Sequence, residues 1–284
     1  MPLTEAVDIC VEAERLGYTD VWSYEVGGYD AFTPLAAIAS RTERVRLGTA
    51  VVPAATRPPA LLAMTAASLQ DLSKGRFCLG LGTSTPTIVN RWMGVPFPPG
   101  LAHMRTTVET IRAITAGEKV NGFRLEHGAV QLPIYVGALG PRMLELAAEI
   151  ADGVILASVT AEHVARGDKD VVLTVPVVLD APEALERIRE SLAAYGVIDV
   201  YNRHFARQGF EDEARDLRAA WERRSWPEAV VAVSDRLVDA MCVSGDLDEC
   251  RAGLARYRDA GVTTLLISPV TRIRETLAAL RPSP

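Results

Sequence analysis

The chain has 284 residues, 49% of them hydrophobic and 23% charged, with a formal net charge of −6. That composition is globular, and an acidic balance without any basic run argues against a nucleic-acid surface. No apolar run reaches the ~20 residues that a bilayer span needs, no charged-then-apolar leader is visible, and the four cysteines form no CxxC pair, so a cytoplasmic protein with reduced thiols is expected.

Helical and strand signals alternate along the chain. A helix capped by Thr4 carries Val7, Cys10 and Val11 on its apolar face and closes at Gly17. Residues 20–25 read as a strand, 32–42 as a helix and 45–52 as the next strand. A helix over 60–72 is closed by Ser73-Lys74-Gly75, and a strand over 77–80 follows. The pattern continues with a helix at 104–116, a strand at 134–137, a helix at 141–151 opened by Pro141, and strands at 152–156 and 171–179. Helices then fill residues 182 to about 261, ahead of a last strand at 263–268. Seven short, β-branched strands separated by helices imply an α/β fold with a parallel sheet covered on both faces. The long helical stretch before the last strand exceeds one crossover and predicts an added helical layer.

Two loops carry the chemical signal. Gly80-Leu81-Gly82-Thr83-Ser84-Thr85-Pro86 and Ile134-Tyr135-Val136-Gly137-Ala138-Leu139-Gly140-Pro141-Arg142-Met143 each pass from a strand through glycines toward a helix start. Free backbone N–H groups beside a helix N-terminus make a phosphate cradle, although most such glycines only turn the chain. The pair suggests a phosphorylated cofactor at the mouth of a parallel barrel. Glu25 ends a strand, where barrel enzymes place their chemistry, and is the candidate acid; a salt bridge or helix cap is the alternative. Tyr24 and Arg57 are either pocket or structural residues, Trp22 reads as core, Arg76 as structural, and Trp92 either walls the cofactor channel or packs. His103, His127, His163 and His204 are scattered without partners at ligand spacing, so no metal site is expected. Arg203, His204 and Arg207 read as a solvated basic helix face.

An ordered set of segments carries a family resemblance: Glu14-Arg15-Leu16-Gly17-Tyr18-Thr19-Asp20-Val21-Trp22, Arg46-Leu47-Gly48-Thr49-Ala50-Val51-Val52, Arg57-Pro58-Pro59-Ala60, Leu69-Gln70-Asp71-Leu72-Ser73-Lys74-Gly75-Arg76-Phe77, Leu79-Gly80-Leu81-Gly82, Pro133-Ile134-Tyr135-Val136-Gly137-Ala138 and Ala151-Asp152-Gly153-Val154. Over nearly its whole length the chain resembles the bacterial luciferase-like monooxygenase superfamily, most of all the branch that uses the deazaflavin coenzyme F420. The resemblance implies one TIM (β/α)8 barrel domain of the luciferase-like type over residues 1–284, read here as lacking the first strand. It implies a ring seated on a bulge, often with a non-proline cis peptide, at Ala50, Val51, Val52 and Pro53. It implies a phosphate-bearing tail along Gly82, Thr83, Ser84 and Asn90, then along Gly137, Ala138, Gly140, Pro141 and Met143, with Arg142 adding a charge-assisted contact. Val26 stands where many relatives carry a His, and Ser84 and Thr85 where some carry a Glu, so the family's usual acid–base pair is unsupported. The stretch between residues 156 and 171 is also short. The function implied is an F420-dependent oxidoreductase exchanging hydride with a small organic substrate. The alternatives are an FMN-dependent monooxygenase and a non-catalytic binding barrel. A homodimer is compatible with an open barrel edge.

Overall fold

A computed structural model describes residues 1–164 and 167–282. The chain forms two compact units, Met1–Ile155 and Leu156–Arg281.

In the first unit the elements run α1 (Leu3–Arg15), β1 (Asp20–Ser23), α2 (Phe32–Ala39), β2 (Arg46–Thr49), β3 (Val52–Pro53), α3 (Pro59–Leu72), β4 (Phe77–Gly82), α4 (Gly100–Thr115), β5 (Ile134–Gly137), α5 (Pro141–Ile150) and the start of β6 (Gly153–Ala157). The strands lie side by side in the order β1-β2-β4-β5-β6, with β3 also on β4, and every named pair is parallel. Every residue of β4 is buried. Phe77, Leu79 and Leu81 belong to the core shared with Leu35, Leu47 and Leu62 of the helices and β2, while Cys78, Gly80 and Gly82 face the opposite side of the sheet. On that opposite side Trp22 covers Gly48 and meets Tyr135 edge-on at 5.3 Å, and Arg46 joins Asp20 at 2.6 Å and the Tyr135 hydroxyl at 3.0 Å. Arg76 donates to the carbonyls of Ala39, Thr42, Val45 and Ser73, tying turns together below the strands.

Several boundaries differ from expectation. Thr4 does not cap α1; the helix begins at Leu3 after Pro2 with no side-chain cap, so Thr4 lies inside the first turn. The strand expected over 45–52 is broken at Ala50–Val51 into β2 and β3, and β1 stops at Ser23. The helix expected from 104 starts at Gly100 behind Pro99, its low-propensity first residue hiding the start.

Glu14 links α1 to the entry of β2. Its carboxylate is buried and accepts the N–H groups of Glu43 at 3.1 Å, Arg44 at 2.7 Å and Val45 at 2.8 Å. Burial alone pushes the carboxyl up, but the Val45, Arg44 and Glu43 N–H groups and the Arg44 charge hold it below the usual carboxylate range. A carboxyl depressed on folding stabilises above its unfolded pKa, and that stability is lost as pH falls through the folded value. Glu14→Ala is therefore expected to cost about 1–3 kcal/mol at neutral pH by orphaning the buried Val45 N–H and freeing the Glu43 and Arg44 N–H groups, and to shrink the acid-induced loss of stability. Urea titrations of both proteins at neutral and acid pH check this; equal midpoints would remove the carboxylate from the account.

The second unit contains the end of β6, then β7 (Asp170–Leu179), α6 (Leu185–Gly196), α7 (Asp199–Ala206), α8 (Glu211–Glu222), α9 (Trp226–Val231), α10 (Asp235–Met241), β8 (Val243–Gly245), α11 (Leu247–Asp259), β9 (Thr264–Pro269) and α12 (Ile273–Ala279). β9 runs parallel to β7 from Val172 to Val177, and β8 pairs with Val177–Leu179. Among the described residues there are nine strands, not seven. The run of helices expected from 182 to about 261 also contains the strand β8, and two- or three-residue strands such as β3 and β8 are too short to show a period. The added helices α6–α10 enclose a core of their own around Phe205, Leu217, Val233 and Leu237. Gly196 lets α6 and α8 close up, since a Cβ there would lie 2.6 Å from a Leu217 methyl.

α7 corrects the basic-face expectation. Arg203 and Arg207 are exposed, but His204 turns inward with Phe205 and its Nε2 lies 3.2 Å from the Ala157 carbonyl. In the turn that follows α7, Gln208 reaches the same loop: it donates to the Ser158 carbonyl at 3.0 Å and accepts the Thr160 N–H at 2.9 Å. These contacts hold the loop after β6, where Ser158 is left-handed with φ 49°. No described helix is long and apolar enough to cross a membrane.

Candidate functional site

The carboxyl ends of β2, β3, β4 and β5 converge on Val51. Thr49 bridges to β4 by donating to the Gly80 carbonyl and accepting the Gly80 N–H, both at 2.8 Å. The chain then crosses a cis peptide at Ala50–Val51, at the place where the resemblance set one. Ala50 donates to the Ser23 carbonyl at 2.7 Å, the Val51 carbonyl accepts the Glu25 N–H at 3.3 Å, and Ala54 donates to the Gly82 carbonyl at 2.9 Å. The bulge is thereby bonded to the end of β1 on one side and β4 on the other. The Val51 side chain fills the space a Cβ would need at two candidate glycines: 2.4 Å away at Gly82 and 3.2 Å away at Gly137. Those glycines admit the bulge residue, a close approach that the sequence pattern had assigned to phosphate. Val52 is buried below.

Glu25 is buried, and both its oxygens accept from Arg57, Oε1 from Nη1 at 2.7 Å and Oε2 from Nη2 at 2.8 Å. Oε2 also accepts the Ala31 N–H at 3.3 Å. The Glu25 hydrogen bonds and charge push the Arg57 guanidinium up against its own burial, and that guanidinium lies 5.1 Å from the centre of the Phe32 ring. In this arrangement both Glu25 oxygens are engaged, by the two Arg57 nitrogens and by the Ala31 N–H. The Asp30 carboxylate accepts the N–H groups of Phe32 and Thr33 at 2.9 Å, starting α2. Burial opposes its ionisation, yet the Thr33 and Phe32 bonds and the Arg57 charge keep the carboxyl below its usual range.

Past β4, Thr83 and Ser84 are half-buried, Ser84 with φ 59°. Thr85 is buried and its hydroxyl accepts the Ile88 N–H at 3.4 Å. A π-helical turn over Thr87–Trp92 carries the exposed Asn90 and Trp92. Behind the bulge a cavity of ≈ 10 Å³, one water in size, is bordered by Ala54, Ala55, Thr83 and His103. His103 Nε2 lies 3.3 Å from the Ala54 carbonyl, so this histidine backs the bulge, a role that no sequence signal announces. Past β5, Ala138 is buried and donates to Ile155 at 3.0 Å. Gly140 precedes α5, whose first residue is Pro141 and which has no side-chain cap; Arg142 is exposed and Met143 packs on the core.

The structure thus brings Ala50, Val51, Val52, Gly82 and Gly137 together and places Thr83 and Ala138 directly beyond them. Asn90 sits on the π-helical turn and Gly140, Pro141 and Arg142 at the start of α5. Among the described residues no hydrogen bond or ion pair engages the side chains of Thr83, Ser84, Asn90, Arg91 or Arg142. These side chains are two hydroxyls, an amide and two guanidiniums, all of them hydrogen-bond donors.

Residues 1–264 match the family model described as luciferase-like monooxygenase. A Mycobacterium tuberculosis protein that bears the name of a coenzyme F420-dependent oxidoreductase is 31% identical, over 94% of this chain and 91% of its own length. The 5,10-methylenetetrahydromethanopterin reductase of Methanolobus tindarius is 29% identical over 91% and 88%. Among solved structures, the coenzyme F420-dependent tetrahydromethanopterin reductase of Methanopyrus kandleri superposes with a TM-score of 0.79, over 99% of this chain and 94% of that one, at 22% identity. That likeness is one of fold: an α/β fold of the luciferase-like TIM-barrel type.

Proposed function

This chain belongs to the luciferase-like monooxygenase family, and on that premise we propose that it is an oxidoreductase that uses coenzyme F420 to exchange hydride with a small organic substrate. The observation that carries the reading is the Val51 bulge, wedged over Gly82 and Gly137 at the strand ends. The similarity to the mycobacterial and methanogen proteins supports F420 over FMN. The match through residue 264 supports treating residues 1–284 as one working domain. The acidic net charge of −6 supports a cytoplasmic enzyme of small molecules rather than of nucleic acid. The β1 edge, paired by β2 on one side within its unit, supports a homodimer.

When bound, a deazaflavin supplies two-electron hydride chemistry. The protein's residues position and exclude water. Ala50, Val51 and Val52 would seat the ring. Thr83, Ser84, Asn90 and Arg142 would donate to the tail, with Gly137, Ala138, Gly140, Pro141 and Met143 shaping the second loop. Glu25 is the proposed proton-moving group, held in reserve by Arg57. Because Arg142 is exposed, Arg142→Ala is expected to fold normally and weaken F420 binding about tenfold at low salt, less at high salt.

Parallel titration of the purified protein with F420 and with FMN, followed by fluorescence quenching, tests the reading. Saturable binding of F420 alone is expected. Binding of FMN alone would move the chain to an oxygen-using monooxygenase, and binding of neither by the folded protein would leave a non-catalytic barrel.

A further inference from the structure

We propose that the substrate received at this site is an uncharged, hydrocarbon-rich small molecule, held on an apolar rim made by the aromatic side chains of Tyr24, Tyr29 and Trp92 together with Val26. The proposal rests on the reading of the Val51 bulge as the cofactor seat. Large apolar side chains are exposed on the two loops that leave β1 and β4: Tyr24 at 68%, Trp92 at 56% and Tyr29 at 52%. Exposed aromatic clusters of this kind mark binding surfaces, since Tyr and Trp offer broad contact area at low entropic cost. The loops form one rim. A side chain at Gly27 would lie 3.9 Å from the Trp92 ring, and the Glu25 N–H bonds the Val51 carbonyl at 3.3 Å, so the rim borders the bulge.

Charge on the β1 loop is consumed internally. Glu25 spends both oxygens on Arg57, and Asp30 spends its carboxylate on the first turn of α2. No charged side chain of that loop is left to pair with a charged substrate, and a charged molecule would lose hydration there without compensation. Arg91, next to Trp92, is the charge that favours the opposite outcome, so the test includes an anion.

Calorimetric titration with three aryl ketones of one shape decides: acetophenone, 4-acetylbenzoate and the 4-acetylphenyl-trimethylammonium ion. Acetophenone is expected to bind at least about tenfold more tightly than either charged ketone. The exposed double variant Tyr24→Ser/Tyr29→Ser is expected to weaken acetophenone about tenfold. Tighter binding of 4-acetylbenzoate, relieved by Arg91→Ala, would overturn the proposal, as would unchanged acetophenone binding in the double variant. Sedimentation that shows a dimer split by the double variant would assign the rim to a second copy of the chain and overturn it too. F420 binding is measured separately by quenching. Its failure with the ketone preference intact would fault the cofactor reading and leave the rim's preference standing; retention of F420 with no ketone preference would do the reverse.

Discussion

Gly80→Ala is expected to be among the most damaging single-methyl additions in the chain. A Cβ at residue 80 would stand 1.7 Å from the Thr49 carbonyl oxygen and 2.6 Å from a methyl of Ile155. The first obstacle is backbone of the neighbouring strand, and it cannot rotate away. Thr49 is also bonded to Gly80 in both directions, so parting β2 from β4 breaks two buried hydrogen bonds. In an unobstructed strand Gly→Ala would stabilise by up to ~1 kcal/mol through the unfolded chain. Here overpacking reverses the sign, and a loss of about 4 kcal/mol or more is expected. Gly82→Ala meets Val51 at 2.4 Å, a side chain, and should cost about 1–3 kcal/mol. Val51→Ala in the same molecule should recover much of that, but should not rescue Gly80→Ala. Gly137→Ala, at 3.2 Å, should be the mildest. Denaturant midpoints of the series check the order, and a Gly80→Ala protein as stable as its parent would refute the steric account.

The second large effect concerns Glu25 and Arg57. Glu25 is 8% exposed and the Arg57 side chain 22%, with two charge-assisted hydrogen bonds between them. Glu25→Gln leaves a partly buried guanidinium with a neutral partner, and Arg57→Met leaves a buried carboxylate with only the Ala31 N–H. Each single change is expected to cost about 2–3 kcal/mol, less than the ~3–5 kcal/mol of breaking a fully buried pair because Arg57 keeps some water contact. The double variant should lose less than the sum, with a coupling of about 1–2 kcal/mol. Denaturation of the four proteins measures the cycle. Strict additivity would mean that the two side chains act independently. Because the Glu25 N–H anchors the Val51 carbonyl, both singles should also weaken F420 binding, and the double should not restore it fully.

Much of this was legible from the residues. The strand cores near 20, 45, 77, 134, 153, 172 and 264 announce themselves through β-branched runs between helical signals. The Ala50–Val51 bulge and its two flanking loops follow from the ordered family segments. What stayed hidden depends on tertiary partners. Glu25 reads equally as acid or ion-pair member until Arg57, 32 residues away, is placed against it. Gly82 and Gly137 read as ligand-facing because a strand-then-glycine loop does not reveal that Val51 needs the room. His204 looks solvated beside two arginines, yet helical phase turns it inward, away from Arg203 and Arg207. β3 and β8 escape because a strand of two or three residues has no period.

The grip of α7 on residues 157–160 has an engineering consequence. Ala157 and Ser158 offer carbonyls, and Thr160 an N–H, whose partners lie some 50 residues downstream, His204 on α7 and Gln208 in the turn that follows it. The insertion is thus no detachable ornament. A chimera that exchanges α6–α10 for a relative's helices must carry His204 and Gln208, or equivalents on α7 and in the turn after it, to keep that loop in shape. Domain-shuffling schemes should therefore place their crossover before β6 rather than between β7 and α6.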